Sequence, residues 1–249
     1  MRRTPCLLVV GTGTGVGKTE LAALLVETLR TQGVDVAVLK PLASGCRRVR
    51  GRLVSDDALR LAGALGLRGE ARRSAHDAIA PWRAARPLAP ALALPHPPST
   101  RKLVTCVEAT ARGRGAIVVE AAGGLLVPYT EDGTVLDVAR ALAGSGALAV
   151  SVVLVGASAL GTINHTCLSI AALRAAGVPP VAVVLSRTRQ RRTPDERGNV
   201  AAIARIAGVE APLTLPFLTA RRGRQRSRLT GPSPSVRVPA LVVERACRS

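Results

Sequence analysis

The stretch from Leu7 to Thr19, LLVVGTGTGVGKT, limits what this chain can fold into more than any other. Leu7, Leu8, Val9 and Val10 form a short apolar run, the signature of a strand buried on both faces. Gly11, Gly13, Gly15 and Gly17 follow. Glycine opens backbone angles closed to other residues and lets main-chain N–H groups approach a ligand. Lys18 and Thr19 come next, and Glu20 to Arg30 reads as a helix. Strand, glycine loop, Gly-Lys-Thr and helix in this order make a phosphate-binding loop, Gly13, Thr14, Gly15, Val16 and Gly17 forming its cradle. The N–H groups hold phosphate oxygens, the helix N-terminus favours their charge, Lys18 neutralises them, and the Thr19 hydroxyl can hold Mg²⁺. The strict pattern G-x-x-x-x-G-K-[ST] is not met, because Thr12 stands where its first Gly belongs and the loop runs from Gly11 with one extra residue.

The rest of the chain alternates strands and helices. Val34 to Leu39 is a second apolar run, ending in Lys40-Pro41-Leu42-Ala43-Ser44-Gly45. Lys40 therefore stands at the carboxyl end of a strand, the edge where open α/β sheets bind ligands; a surface lysine is the alternative. Cys46 to Arg52 reads as a basic loop. Ser55-Asp56-Asp57 opens a helix with Ser55 or Asp56 as N-cap. Capping explains one acid, and two adjacent acids also suit a Mg²⁺ ligand. Residues 68–98 are rich in Ala, Arg and Pro and predict only short helices and turns. Ser99 to Arg112 is a helix capped by Ser99 or Thr100. Ala116 to Ala122 is a third strand whose Glu120 is followed by a Gly123-Gly124 turn. A carboxylate at the end of an apolar run is costly to bury unless it is paired or binds metal. In a phosphate-loop protein it is the second-strand acid that serves Mg²⁺.

Thr134 to Gly144 is a helix, Ala147 to Val155 a fourth strand, and Gly161 to His165 opens a helix running to Ala176. Val181 to Leu185 is a fifth strand, Pro194 to Ile206 a polar helix, and Leu213 to Phe217 a last short strand. Residues 221–235 are loop-like, and Val236 to Val243 suits an added edge strand. This alternation gives a single domain over residues 1–249, of class α/β, with a mostly parallel sheet covered by helices on both faces.

Composition narrows the class. Apolar residues make up 47% of the 249, yet aromatics only 1%, so the core must be Ala, Val and Leu. The five cysteines are scattered without metal spacing, and no apolar run approaches the ~18 residues of a membrane span. Arg2-Arg3 before an apolar run mimics a signal peptide, but that run is short and leads into the glycine loop. A soluble, cytoplasmic protein is expected. The net charge is +19, and of 35 basic residues only Lys18, Lys40 and Lys102 are lysine. Arg is a wide planar fork and Lys a compact point charge, so a lysine kept in an arginine-rich chain is informative. Between Arg187 and Arg228 eleven arginines face Asp195, Glu196 and Glu210. Such clusters attract polyanions without specificity, and no specific nucleic-acid partner is expected. His76, His96 and His165 show no ligand spacing, and no Ser-His-Asp arrangement stands out.

Seven stretches together resemble the dethiobiotin synthetase family: the loop ending VGKT, Lys40 to Gly45, Asp57-Ala58, Pro87 to Pro90, VEAAGG at Val119 to Gly124, Gly161 to His165, and Leu215 to Leu218. The resemblance covers about residues 7–218 in order. It implies an enzyme that joins CO2 to a diamine, 7,8-diaminopelargonate, using ATP and Mg²⁺. It places the nucleotide on Gly13 to Thr19, Glu120, Ser186 and Pro216, and Mg²⁺ on Thr19, Asp57 and Glu120. Lys40 and Lys18 are its catalytic residues, and Lys40, Ser44, Gly123 and Asn164 meet the diamine. It also implies a homodimer in which Asn164 of one subunit serves substrate held by the other. The chain departs from the family at Ala121, which replaces a Gly, and at Ser186, where an adenine-contacting Asn is common. It also lacks a tyrosine near residue 198, and the basic stretch 219–228 replaces a segment that can touch nucleotide. A related amide synthase is the alternative within this fold, but those enzymes usually carry a glutaminase domain. A DNA-binding partitioning-type ATPase is the alternative outside the reaction. Such ATPases carry an additional lysine early in the glycine loop, and Gly11 to Gly17 holds none.

Overall fold

In the computed structural model, residues 3–190, 196–218 and 234–248 are described. The elements in order are β1 (Thr4–Gly11), α1 (Lys18–Thr31), β2 (Val36–Leu39), β3 (Leu42–Ala43), β4 (Arg47–Val49), β5 (Arg52–Val54), α2 (Asp56–Ala64), α3 (Gly69–Ile79), β6 (Trp82–Arg83) and α4 (Pro90–Ala93). They continue with α5 (Thr100–Ala111), β7 (Ala116–Glu120), α6 (Val135–Gly144), β8 (Leu148–Ala157), α7 (Thr162–Ala175), β9 (Pro180–Ser186), α8 (Glu196–Ala207), β10 (Leu213–Leu215) and α9 (Pro234–Arg248).

Six strands make one parallel sheet in the order β10-β9-β8-β1-β7-β2. β1 shows why both faces must be covered. Successive side chains of a strand point to opposite faces. Leu7 and Val9 join a core with Leu21, Leu25 and Leu61 of α1 and α2. Cys6, Leu8 and Val10 join another with Leu103 of α5, Leu142 of α6 and Ile170 of α7. The expected α/β class with helices on both faces is the one observed. No helix among the described residues is long and apolar enough to cross a membrane.

Because all six strands are parallel, their carboxyl ends share one edge. The glycine loop follows β1, Lys40 follows β2, Glu120 ends β7, Ser186 ends β9 and Pro216 follows β10. Order along the sheet thus gathers residues that lie up to about two hundred positions apart in the chain.

Three segments differ from expectation. The basic loop at Cys46 to Arg52 is a hairpin of β4 and β5, turned on Arg50 and Gly51 with φ of 49° and 81°. Two left-handed residues in succession match the twist of paired strands. The stretch 68–98 contains the eleven-residue α3, and β6 pairs with β3. The tail at Val236 to Val243 is part of helix α9, not an edge strand. Its Val238 and Val242, four residues apart, are buried in the core beside α1, so packing overrides the β propensity of a valine-rich run. The expected starts of α8 at Pro194 and of the 219–228 basic stretch lie outside the described residues.

Candidate active site

The glycine loop turns through left-handed backbone at Gly15 and Gly17, with φ of 73° and 97°. A Cβ on Gly17 would fall 2.4 Å from the Ser186 hydroxyl oxygen, so the loop and the end of β9 are pressed together there. Thr14 and Gly15 are exposed at the loop's crest, while Val16 anchors it in the core. Lys18 opens α1 and folds back over the loop. Its ammonium donates to the carbonyls of Gly13 at 2.6 Å and Gly123 at 2.9 Å. Gly123 thus contributes a main-chain oxygen at the floor of the site.

Glu120 is the hub. It is fully buried, and its Oε1 accepts from Thr19 Oγ1 at 2.7 Å and from Lys40 Nζ at 2.7 Å. Lys40 Nζ also donates to Asp57 Oδ2 at 2.5 Å. Asp57 belongs to the first turn of α2, whose N-cap is Ser55, its Oγ accepting from the Ala58 N–H. Asp56 instead faces outward and pairs with Arg47. The two adjacent acids therefore separate into a surface partner and a site residue.

Burial disfavours charge on Lys40, but the Glu120 and Asp57 carboxylates and their hydrogen bonds outweigh it and hold its pKa above the ordinary lysine value. Lys18 goes the other way. Burial dominates and pushes it down to about 8, although Glu120 draws it back upward. Below that pH its ammonium is present in folded and unfolded chain alike, and the full cost of burying it is borne. As pH rises from about 8 toward its ordinary value of 10.5 that cost is relieved, because the unfolded chain keeps the proton longer. Phosphate oxygens favour the charged form. ATP binding above about pH 8 should accordingly take up a proton, and affinity should weaken as pH rises further. Calorimetry at pH 8.5 in two buffers of different ionisation enthalpy checks this; a buffer-independent heat would remove Lys18 from the phosphates.

The residues fit a divalent cation. Glu120 Oε2 is buried with no hydrogen-bond partner, the Thr19 hydroxyl lies beside it, and the Asp57 carboxylate is 48% exposed. Mg²⁺ is held by one or two carboxylates with water and phosphate oxygens, and no larger cluster is required. Among the described residues no group of three or more His, Cys, Asp and Glu is placed to hold a metal.

Other expected site residues are placed less directly. Ser44 is half-buried in a loop fixed by the main chain, where Gly45 N–H donates to Arg86 O at 3.2 Å and Cys46 N–H to Ala84 O at 2.9 Å. Ser186 and Pro216 lie at adjoining strand ends, Ser186 registering with Leu215. Asn164 is exposed on the first turn of α7 and takes no part in the network around Glu120. One cation of the expected basic cluster is already engaged: Arg187 forms a largely buried ion pair with Glu196, while Glu210 pairs with Arg245.

Sequence reasoning missed the segment behind Lys40. Lys40 N–H donates to Ile79 O at 2.9 Å, Trp82 N–H to Pro41 O at 3.1 Å and Ala84 N–H to Ala43 O at 2.8 Å. Residues 79–86 thus lace the lysine loop from end to end through main-chain atoms.

A family model described as an AAA domain matches residues 6–222. The ATP-dependent dethiobiotin synthetase BioD of Anaeromyxobacter dehalogenans (strain 2CP-C) is 40% identical over 223 residues, covering 88% of this chain and 93% of that protein. The protein of the same name from Mycobacterium tuberculosis (strain CDC 1551 / Oshkosh) is 39% identical over 221 residues, 83% of this chain and 85% of its own. A crystal structure of a ParA family ATPase from Chlorobium tepidum TLS superposes with a TM-score of 0.50 at 14% identity, covering 86% of this chain and 84% of that one, a likeness of fold. With identity at this level sustained along nearly the whole chain, and the phosphate loop, Lys40 and Glu120 gathered at one sheet edge, the chain belongs to the ATP-dependent dethiobiotin synthetase family.

Proposed function

We propose that this protein is an enzyme of biotin biosynthesis that closes 7,8-diaminopelargonate with CO2 to dethiobiotin at the expense of ATP. Family membership supports the reaction, and one observation carries its assignment to these residues: a lysine 5% exposed, held charged between two carboxylates beside a phosphate loop. In this reading one amine of the diamine adds to CO2 and loses a proton, giving a carbamate anion. Lys40 is the compact cation that meets it. The carbamate oxygen then attacks the γ-phosphorus and ADP leaves, with Lys18 offsetting charge on the phosphates. The second amine attacks the carbamic-phosphoric anhydride, phosphate departs and the cyclic urea closes. No covalent enzyme intermediate is required, so positioning and electrostatics do the catalysis.

Thr19, Glu120 and Asp57 would hold Mg²⁺, which when bound neutralises phosphate charge. Gly13 to Thr19, Ser186 and Pro216 would line the nucleotide, and Ser44 and Gly123 the diamine. A homodimer is supported by the start of α7, where Asn164 and Leu168, 62% exposed, lie one turn apart and Leu160, 97% exposed, immediately precedes the N-cap Gly161. Residues four apart share a helix face, and Asn164 beside the bare Leu168, with the bare Leu160 at the helix entry, suits a contact with a second copy that delivers Asn164 to its site. Sedimentation mass checks the dimer. The free cysteines Cys6, Cys46, Cys106 and Cys167 accord with a cytoplasmic enzyme.

The experiment is an assay of ADP release. Release should require both the diamine and bicarbonate. Release that proceeds with neither, or that DNA stimulates, would overturn the reading.

A further inference from the structure

We propose that His76 is a positioning residue that holds Asp57 against Lys40 by supplying, from outside the helix, the acceptor that the start of α2 lacks. The inference rests on the function proposed above. Ser55 is the N-cap of α2, its Oγ accepting from Ala58 N–H at 3.2 Å and its carbonyl from Leu59 N–H at 3.1 Å. That leaves its own N–H, which in a capping box is met by an acidic side chain three residues on. Here that position is Ala58, fully buried, with no room for an acid.

The missing acceptor is the imidazole of His76, 4% exposed, whose Nε2 lies 2.8 Å from Ser55 N. A main-chain amide can only donate, so Nε2 is the unprotonated nitrogen and Nδ1 carries the hydrogen. Nδ1 donates to Asp77 Oδ1 at 2.9 Å, and Asp77 is in turn held by Arg52 of β5 and Arg83 of β6. The ring is thereby fixed on both sides. Three residues later, at the end of the same helix α3, Ile79 O accepts the Lys40 N–H. One helix end thus sets the main chain of the lysine and the start of the helix that bears its aspartate partner.

The test is a double-mutant cycle read as turnover with diamine and bicarbonate, beside ATP affinity and melting temperature. His76→Leu keeps bulk and leaves the Ser55 N–H buried without an acceptor, and turnover should fall about tenfold. ATP affinity measured without Mg²⁺ should stay within about twofold, because in the proposed site Asp57 would meet the nucleotide only through the cation. His76→Gln puts a carbonyl oxygen where Nε2 was and should recover turnover to within about threefold of wild type. In an Asp57→Asn background the His76→Leu step should cost less than about twofold, since the group being positioned is already disabled. Should the Leu variant not fold, His76→Asn takes its place, its amide reaching only as far as Nδ1. Equal losses in both backgrounds, ATP affinity falling in step with turnover, or a Gln variant no better than Leu would each overturn the positioning role while leaving the proposed reaction standing. Full turnover in Asp57→Asn alone would instead remove the lysine–aspartate pair from the reaction and the His76 role with it.

Discussion

Lys40→Gln is expected to raise the barrier for diamine- and bicarbonate-dependent turnover by roughly 2–4 kcal/mol while ATP binds within about a few-fold of wild type. A nucleotide hydrolase with this loop needs Lys18 and has no use for a second buried lysine, whereas addition of CO2 to an amine creates a new anion beside the γ-phosphate. The geometry adds a structural side to the test. Lys40 is the counter-charge of Glu120 and Asp57, so Gln leaves a fully buried carboxylate without its cation. Removing one partner of a buried pair costs as much as about 3 kcal/mol of stability, and melting must be followed beside turnover. Lys40→Arg should also fail, because a planar fork cannot occupy a site shaped around one nitrogen between two carboxylates. A titration of nucleotide on the same variants decides the matter. Collapse of ATP binding together with turnover would make Lys40 a nucleotide residue, and no change in either would strip the carbamate mechanism of its support.

Glu120→Gln should be nearly as damaging and should leave two signatures. Oε1 accepts from Thr19 and Lys40 at once, and Oε2 is the buried oxygen without a partner. An amide offers one oxygen, and with that oxygen at Oε1 the NH2 group takes the buried place of Oε2, where no hydrogen-bond partner stands. The buried ion pair is lost, with a stability cost of about 3 kcal/mol. For a domain of this size that corresponds to a melting temperature about 6–12 °C lower. Turnover should fall by about 10²-fold, the scale of losing one preorganised electrostatic contact. Because Glu120 is both ion-pair partner and candidate Mg²⁺ ligand, part of the turnover loss should return at high Mg²⁺ while the melting temperature without metal stays low. A turnover loss indifferent to Mg²⁺ would confine Glu120 to the ion pair.

The sequence made the sheet legible because each of its long strands is an apolar run with glycine or proline nearby. Lys18, Thr19, Lys40, Asp57 and Glu120 were legible as strand-end and helix-start residues, and they do converge. Their pairing was not. Lys40 meets Asp57 across 17 positions and Glu120 across 80, and neither spacing carries a periodic signal. The 79–86 segment was hidden for a different reason. It grips the lysine loop through main-chain N–H and C=O groups, which side-chain identity does not advertise, so its alanines and single proline gave no sign of the task. His76 looked like an isolated histidine because the partner of its Nε2 is a backbone amide. The valines of α9 misled because helix or strand was decided there by what Val238 and Val242 pack against.

The lacing of residues 79–86 onto the lysine loop gives the protein a built-in optical probe. Trp82 is the sole tryptophan of the chain, and its main chain is bonded to Pro41, the residue next to Lys40. Its indole is half-buried among the residues of the core on that side. Ultraviolet excitation at the red edge therefore lights one indole, with no second tryptophan to dilute it, on the strand that hydrogen-bonds the loop of Lys40. A ligand that meets Lys40 should shift emission from the unlabelled wild-type chain, and stopped-flow traces of that emission would time its arrival rather than the release of ADP.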